Sequence, residues 1–465
     1  MIKRLVRSLF APAVQRLLPR RIEPPLSRWR LSRSADGVLS LDGHRLDALL
    51  ARWGSPLHLV DGAALRRAAV DFLAIPSGAT RGCDIAYSFK TNPVPGVLRR
   101  LLAAGIGAEV VSPYELWLAL RLGFPPRQIV YNGPARSEAS MRSAIEHRIG
   151  LVNLNSRCEI APFAALAREL GQRPRVGIRV ALPGSWSGQF GERTDSGAAF
   201  RAFAEAAQRP ELSLVALHAH RGSEFTTHEE LEQFIAQVLV FTDELRARLS
   251  LELEVLDLGG SLACCSVRQL GGLEKRLNRA FDTELQPQAT DELSVRAAVA
   301  LAVSQIEAHY HRVNRPVPRI LLEPGKSMTG HAQMLLTRVV NVQDEVEGVT
   351  HAVLDASVFV AAPVRAEYHH LLPVRTQRGA ALRSYRLVGP SCTPADVLYP
   401  SWRLPELAPG DVLAMMDSGA YFIPFSSAFS FPRPGVVMLE NGEETLLRAA
   451  DSYEQMAGLE GAPPR

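Results

Sequence analysis

Between about residue 84 and residue 323 the chain alternates between two textures. Short β-branched apolar runs occur over 84–89, 108–111, 128–132, 150–154, 175–180, 213–218, 253–258 and 318–323. Ala-, Leu-, Arg- and Glu-rich stretches of helical period lie between them, such as 113–122, 157–170, 228–249 and 294–312. An apolar run without polar alternation suits a strand covered on both faces, and successive parallel strands need a crossover, usually a helix. Eight such alternations predict a (β/α)8 barrel. A doubly wound open sheet is the alternative that strand counting leaves open.

Beyond about residue 330 the helical period fades. Strand-like runs over 333–340, 352–354, 384–388, 412–416 and 435–439 are separated by Pro, Gly and Asp. The expected division is a barrel over 36–330 and a β-rich domain over 331–465, with 36–60 available to either. The first 35 residues read as a basic, partly disordered leader. Lys3, Arg4, Arg7, Arg16, Arg20, Arg21, Arg28, Arg30 and Arg33 face one acid, Glu23. Ile2, Leu5, Val6 and Leu9 keep helical spacing, so a membrane-surface helix is the less favoured reading of that leader.

With 465 residues, 47% of them hydrophobic, a core of ordinary size needs no metal or disulfide staple. A net charge of +4 is too small for nucleic acid to be the main ligand. Cys83, Cys158, Cys264, Cys265 and Cys392 are odd in number and show no CxxC spacing, so neither a disulfide framework nor zinc is expected. A cytoplasmic location follows from that usage, and no apolar run is long enough for a transmembrane helix.

Chemistry in such a barrel sits at the C-terminal ends of the strands. Lys90 ends the first strand, where burial would free its amine as a nucleophile; a solvated lysine is the commoner reading of such a position alone. His218 and His220 share one face after the sixth strand, followed by Ser223. A metal pair is conceivable there, but no third ligand of matching context stands out, so no metal is expected. Gly259-Gly260-Ser261 follows the seventh strand, and paired glycines let backbone amides approach an anion. Glu323-Pro324-Gly325-Lys326-Ser327 follows the eighth. The loops after strands seven and eight are the common phosphate site of barrels. Cys392 in Gly389-Pro390-Ser391-Cys392-Thr393 could donate a proton or merely pack, and Tyr421 in Asp417-Ser418-Gly419-Ala420-Tyr421 could bond a phosphate or merely pack.

The order of Lys90, His220-x-x-Ser223, Gly259, Glu323-Pro324-Gly325, Cys392 and Tyr421 resembles the diaminopimelate/ornithine/arginine decarboxylases, the fold-type III pyridoxal-phosphate enzymes. Val111-Ser112-Pro113-Tyr114-Glu115-Leu116, Tyr131-Asn132-Gly133-Pro134 and Gln189-Phe190-Gly191 are further echoes. The resemblance spans about residues 45–440 and implies an alanine-racemase-type TIM barrel with a C-terminal β-barrel or sandwich domain. It implies that Lys90 holds pyridoxal 5'-phosphate as a Schiff base and that His220 stacks on the ring. Ser223, Gly259, Gly260, Gly325 and Tyr421 would hold the phosphate, with Ser261 and Lys326 near it. Glu323 would pair with the ring nitrogen, and each pKa unit held there is about 1.4 kcal/mol of differential stabilisation. Cys392 would protonate the substrate α-carbon across the interface of a homodimer with shared active sites.

Departures from the family pattern fall at the substrate. Thr393 stands where an acid usually receives a distal amine, and a buried ammonium without a carboxylate costs several kcal/mol. Ala361 and Arg365 stand at the ends of a segment that reads Arg-Pro-x-x-Tyr in the diaminopimelate enzymes, which leaves Arg365 and Thr393 as the expected substrate contacts. Lys326 replaces the phosphate-site arginine and loses its bidentate geometry. Glu109 is commonly Asp. The expectation is a lyase acting on a modified or conjugated amino acid from siderophore or antibiotic biosynthesis. The alternatives are decarboxylation of diaminopimelate or a basic amino acid, a racemase or epimerase, and a non-catalytic cofactor-binding protein. A metal-dependent barrel hydrolase is a distant fourth class.

Overall fold

The computed structural model describes residues 10, 13, 14, 24–74, 82–186, 188–262, 264, 267–281, 293–346, 349–376 and 379–461. The chain forms two compact units, one of Arg66–Ala263 with Asp291–Met328, the other of Met1–Leu65 with Cys264–Thr290 and Thr329–Arg465.

In the first unit eight parallel strands pair in chain order. They are β1 Cys83–Ser88, β2 Gly107–Val110, β3 Ile129–Tyr131, β4 Leu151–Leu154, β5 Arg175–Ala181, β6 Ser213–Ala219, β7 Val255–Asp257 and β8 Arg319–Leu322. β8 returns to β1 in the register Ile320↔Cys83 and Leu321↔Asp84. The sheet is therefore closed, and the open-sheet alternative is excluded. Ala86, Val130, Leu151, Val215, Ala216, Val255 and Leu321 fill part of the interior. The connecting helices begin and end where local chemistry dictates. In Pro113–Leu122 the Ser112 hydroxyl accepts from the Glu115 N–H at 3.2 Å, proline occupies the first turn, and Gly123 at φ 84° ends it. His228–Leu249 buries Leu231, Phe234, Ile235, Val238, Leu239, Thr242 and Leu245, a stripe at helical spacing.

The second unit is built on Gln333–Val346, which pairs with Leu57–Asp61, Val412–Met415 and Val349–Leu354. Alternate residues enter two cores, Met334 and Leu336 on one side, Leu335 and Val339 on the other. The expected barrel span of 36–330 is narrower here at its start. Leu57–Asp61 is buried throughout and lies between Gln333–Val346 and Gly435–Glu440. Residues 26–33, expected within the basic leader, are also ordered here. Trp29 is 3% exposed and its indole N–H donates to Asp417 Oδ1 at 2.9 Å. The other leader positions, including Lys3, Arg4 and Arg7, lie outside the described residues. After β7 the chain leaves the barrel unit: Arg268–Gln269 pairs with Glu367–Tyr368, and helix Gly272–Phe281 belongs to the β-rich unit. Among the described residues no helix is long and apolar enough to cross a membrane. Among the described residues Cys83, Cys158 and Cys392 form no disulfide.

Candidate active site

Lys90 lies in the single turn Phe89–Thr91 that ends β1. Its side chain is 42% exposed, less enclosed than a burial argument expects, and its Nζ lies 3.5 Å from Glu109 Oε2 on β2. Glu109 is fully buried and satisfied on both oxygens. Ser88 Oγ donates to Oε2, and Asn132 Nδ2 donates to Oε1 at 2.9 Å. The amide of Asn132 also donates to Glu323 Oε1 at 2.6 Å, and Asn153 Nδ2 donates to Asn132 Oδ1 at 2.9 Å and to Asp257 Oδ2 at 2.7 Å. A continuous buried polar network thus crosses the barrel from the lysine to the carboxyl at the end of β8.

Asp257 and Glu323 share a hydrogen bond inside this network, and burial raises the pKa of both. Asp257 is pushed up to about 7. Glu323 rises well above its ordinary range, with the charges of Asp257 and Glu109 adding to the burial. The pair holds a proton at neutral pH because two adjacent buried carboxylates cannot both ionise. His218 Nε2 lies 3.6 Å from Glu323 Oε2. Burial holds His218 and His220 well below the usual imidazole range, with Lys90 and Arg179 reinforcing it. The Gly260 N–H donates to His220 Nδ1 at 3.1 Å, which fixes a neutral ring with its proton on Nε2.

His218, His220 and Glu323 bring ligand atoms within 4.8 Å of one another. A third group of matching context therefore exists, which the sequence did not reveal. A cation there would have to displace the carboxyl proton and the bond from Gly260.

The loops after β7 and β8 are locked together by backbone. Glu323 N–H donates to Gly259 O at 2.8 Å, and Ser88 N–H donates to Pro324 O at 3.0 Å. A Cβ at Gly260 would lie 2.5 Å from Glu323 O, one at Gly259 2.3 Å from His220 Nδ1, and one at Gly325 2.3 Å from Thr91 Oγ1. These glycines are required by close approach. The hydroxyls of Thr91 and Ser327 are buried and without a hydrogen-bond partner among the described residues. Ser261 Oγ accepts from the Gly222 N–H at 3.1 Å, beside the half-buried Ser223. Lys326 Nζ pairs with Glu224 Oε1 at 2.7 Å, so its charge is compensated by an acid the sequence analysis did not weigh.

Cys392, Thr393, Arg365 and Tyr421 lie in the β-rich unit. Cys392 and Arg365 are exposed, and Thr393 and Tyr421 are half-buried. Thr393 Oγ1 accepts from the Ala395 N–H at 3.3 Å. Tyr421 has φ 66° and stacks on Phe425 at 5.7 Å. Ser391 N–H donates to Asp396 Oδ2 at 3.0 Å and Val358 N–H to Oδ1 at 2.8 Å, so a buried aspartate holds the cysteine loop.

Sequence reasoning missed Arg179, Asn153 and Trp186. Arg179 is buried, lies 4.8 Å over the Phe190 ring, and feels the charges of Glu323, Glu109 and Asp257. Trp186 stacks on Phe190 and covers Gly222, where a Cβ would lie 2.2 Å from the indole. An arginine or an asparagine on a strand carries no local signal; only closure of the barrel brings them together.

Residues 76–330 match the family described as pyridoxal-dependent decarboxylase, pyridoxal binding domain. The chain is 28% identical over 441 residues to the diaminopimelate decarboxylase of Aquifex aeolicus (strain VF5), covering 90% of this chain and 94% of that one. It is 27% identical over 440 residues to that of Bacillus subtilis (strain 168), covering 91% and 95%. The crystal structure of diaminopimelate decarboxylase from M. jannaschii superposes with a TM-score of 0.83 at 24% identity, over 95% of this chain and 99% of that one.

Proposed function

Because the chain belongs to the pyridoxal-dependent decarboxylases, we propose that it releases CO2 from a modified or conjugated amino acid in a specialised biosynthetic route such as one to a siderophore or an antibiotic. That it is an amino-acid decarboxylase using pyridoxal 5'-phosphate follows from the family and its relatives. The proposal concerns the substrate, the roles of individual residues, a homodimer with shared active sites, and a cytoplasmic location.

Three observations support the fit of the cofactor. Orphan hydroxyls of Thr91 and Ser327 flank the loop after β8. Gly259, Gly260 and Gly325 let their loops pack against His220, the Glu323 carbonyl and Thr91, where any Cβ would clash, and so bring backbone amides together at the strand ends. A carboxyl that keeps its proton ends β8. When bound, the cofactor supplies an electron sink for the pair left as CO2 departs. Lys90 Nζ, beside Glu109, would hold its aldehyde covalently. Glu323 would supply a proton to the ring nitrogen, with Asp257 and Asn132 fixing the carboxyl's orientation. His220, held neutral, would lie against the ring. Ser223, Gly259, Gly260, Ser261, Gly325, Lys326 and Tyr421 receive the phosphate; Glu224 tempers the charge that Lys326 brings. Cys392 Sγ returns a proton to the α-carbon, and Arg365 with Thr393 reads the side chain. A cationic partner at the ring nitrogen would favour racemisation, so Glu323 supports decarboxylation over that alternative.

The observation that carries the substrate proposal is Thr393, a neutral side chain whose oxygen is already engaged by Ala395 N–H. It offers no charge to a distal ammonium. Diaminopimelate, named in the relatives, is the second reading, favoured by their coverage of at least 90% of this chain. The test is CO2 release by the holoenzyme across meso-diaminopimelate, lysine, ornithine, arginine and N-acylated or peptide-linked amino acids. Conjugates should turn over best. Turnover of meso-diaminopimelate or lysine at kcat/KM of about 10^4 M⁻¹s⁻¹ or more, with conjugates inert, would overturn the substrate proposal.

A further inference from the structure

Strand alternation fixes what lies beneath the candidate active site. Ser88, Glu109, Asn132, Asn153, Asp257 and Glu323 form the inward polar network at the C-terminal strand ends. The residues two places earlier share that face, about 7 Å further down each strand: Ala86, Gly107, Val130, Leu151, Val255 and Leu321. This layer is apolar and short of volume. A Cβ at Gly107 would lie 2.6 Å from Gln128 O, so that position cannot carry a plug. Below it, at the strand starts, stand Asp84, Gln128, Arg175 and Arg319. Between them a cavity of about 520 Å³ opens at the N-terminal end of the barrel.

Exposure agrees with this geometry. Val130 is 6% and Val255 8% exposed, whereas their outward neighbours Ile129 and Leu256 are at 0%. A barrel filled by layers of branched side chains closes that interior. At the rim Arg319 is matched by both carboxylate oxygens of Asp84, and Arg175 by Glu254 at 2.7 Å. Arg127, exposed in the turn Pro126–Gln128, has no side-chain partner among the described residues. The rim thus has three guanidiniums and two carboxylates. An apolar wall edged by one unmatched guanidinium is complementary to an amphipathic carboxylate, whose body leaves water while its oxygens meet the cation. The volume is that of a small-molecule site.

We propose that this cavity is a second ligand site, for a small molecule with an apolar body and one carboxylate. The body lies against Val130, Leu151, Val255 and Leu321, and the carboxylate meets Arg127. The site stands on the barrel unit alone and is independent of which amino acid the enzyme decarboxylates.

Calorimetric titration of the holoenzyme with sodium octanoate tests it without turnover. One saturable site per chain is expected, and R127Q should weaken it about tenfold by removing the charge-assisted bond. A86L, which adds three carbons to the cavity wall, should weaken it at least as much. Arg127 is exposed, so R127Q keeps the test decisive if A86L fails to fold, and the visible absorption band of each variant reports an intact cofactor site. Absence of saturable binding overturns the proposal. So does octanoate that binds wild type and R127Q, or wild type and folded A86L, equally tightly, as it would at the barrel mouth. Neither result bears on CO2 release, which the substrate panel measures separately.

Discussion

Glu323 keeps its proton because burial strips a carboxylate there of water and the charges of Asp257 and Glu109 oppose its ionisation more than Lys90 favours it. Asp257 and Glu109 are acids, Asn132 is a neutral donor, and His218 is itself held neutral by burial. Passing that proton to a ring nitrogen would leave a carboxylate beside a pyridinium, the ion pair that separates a strong electron sink from a weak one. Glu323→Gln should leave the cofactor bound yet lower kcat by about a hundredfold or more, since a neutral amide holds that nitrogen less firmly. Equal losses in cofactor affinity and kcat would contradict this role. The sign of the pH dependence follows from the same pair. A carboxyl whose folded pKa is raised, as Asp257 is to about 7, contributes stability that is complete below its unfolded value near 4 and lost as pH rises through 7. In E323Q the repulsion is gone, so melting temperature should vary less between pH 5 and pH 8 than in wild type. Lys90, His220 and Glu323 were legible in the sequence because each directly follows an apolar strand. Asn153 and Arg179 were not, because their meaning lies in partners far along the chain, such as Asp257, 104 residues beyond Asn153.

The loops after β7 and β8 carry the site by backbone geometry. Gly259, Gly260 and Gly325 each stand where a Cβ would strike a neighbouring strand end or side chain. Gly260→Ala should weaken cofactor affinity at least about tenfold, because its Cβ meets the immobile carbonyl of Glu323 at 2.5 Å. Equilibrium titration of the apoenzyme with pyridoxal phosphate measures it, and an unchanged Kd would show that the loop gives way. Barrel elements were readable because period and burial agree in β1–β8 and their helices. Val397–Leu404 was not read, because Pro400 in its middle signals a break. The sheet accommodates that proline near a register shift, between the pairs Tyr385↔Trp402 and Leu387↔Tyr399. Helix Gly272–Phe281 carries too little apolar surface to stand out.

At the scale of the whole molecule the chain order of the motifs carried more information than any one of them. The order of a lysine, a histidine and two glycine loops falls within residues 76–330, which match the pyridoxal-binding family, whereas Cys392 and Tyr421 lie beyond that match. The division into units was less legible. Leu57–Asp61, in a stretch the sequence left available to either unit, completes the β-rich sheet by pairing with strands some 280 and some 380 residues later. Every role assigned at the barrel mouth depends on one covalent bond between Lys90 and the cofactor. The direct measurement is borohydride reduction of the holoenzyme followed by peptide mapping. The account predicts a visible absorption band, a reduced pyridoxyl label on the peptide containing Lys90, and loss of band, label and CO2 release together in Lys90→Ala. A colourless holoprotein, or a label on any other lysine, would contradict it.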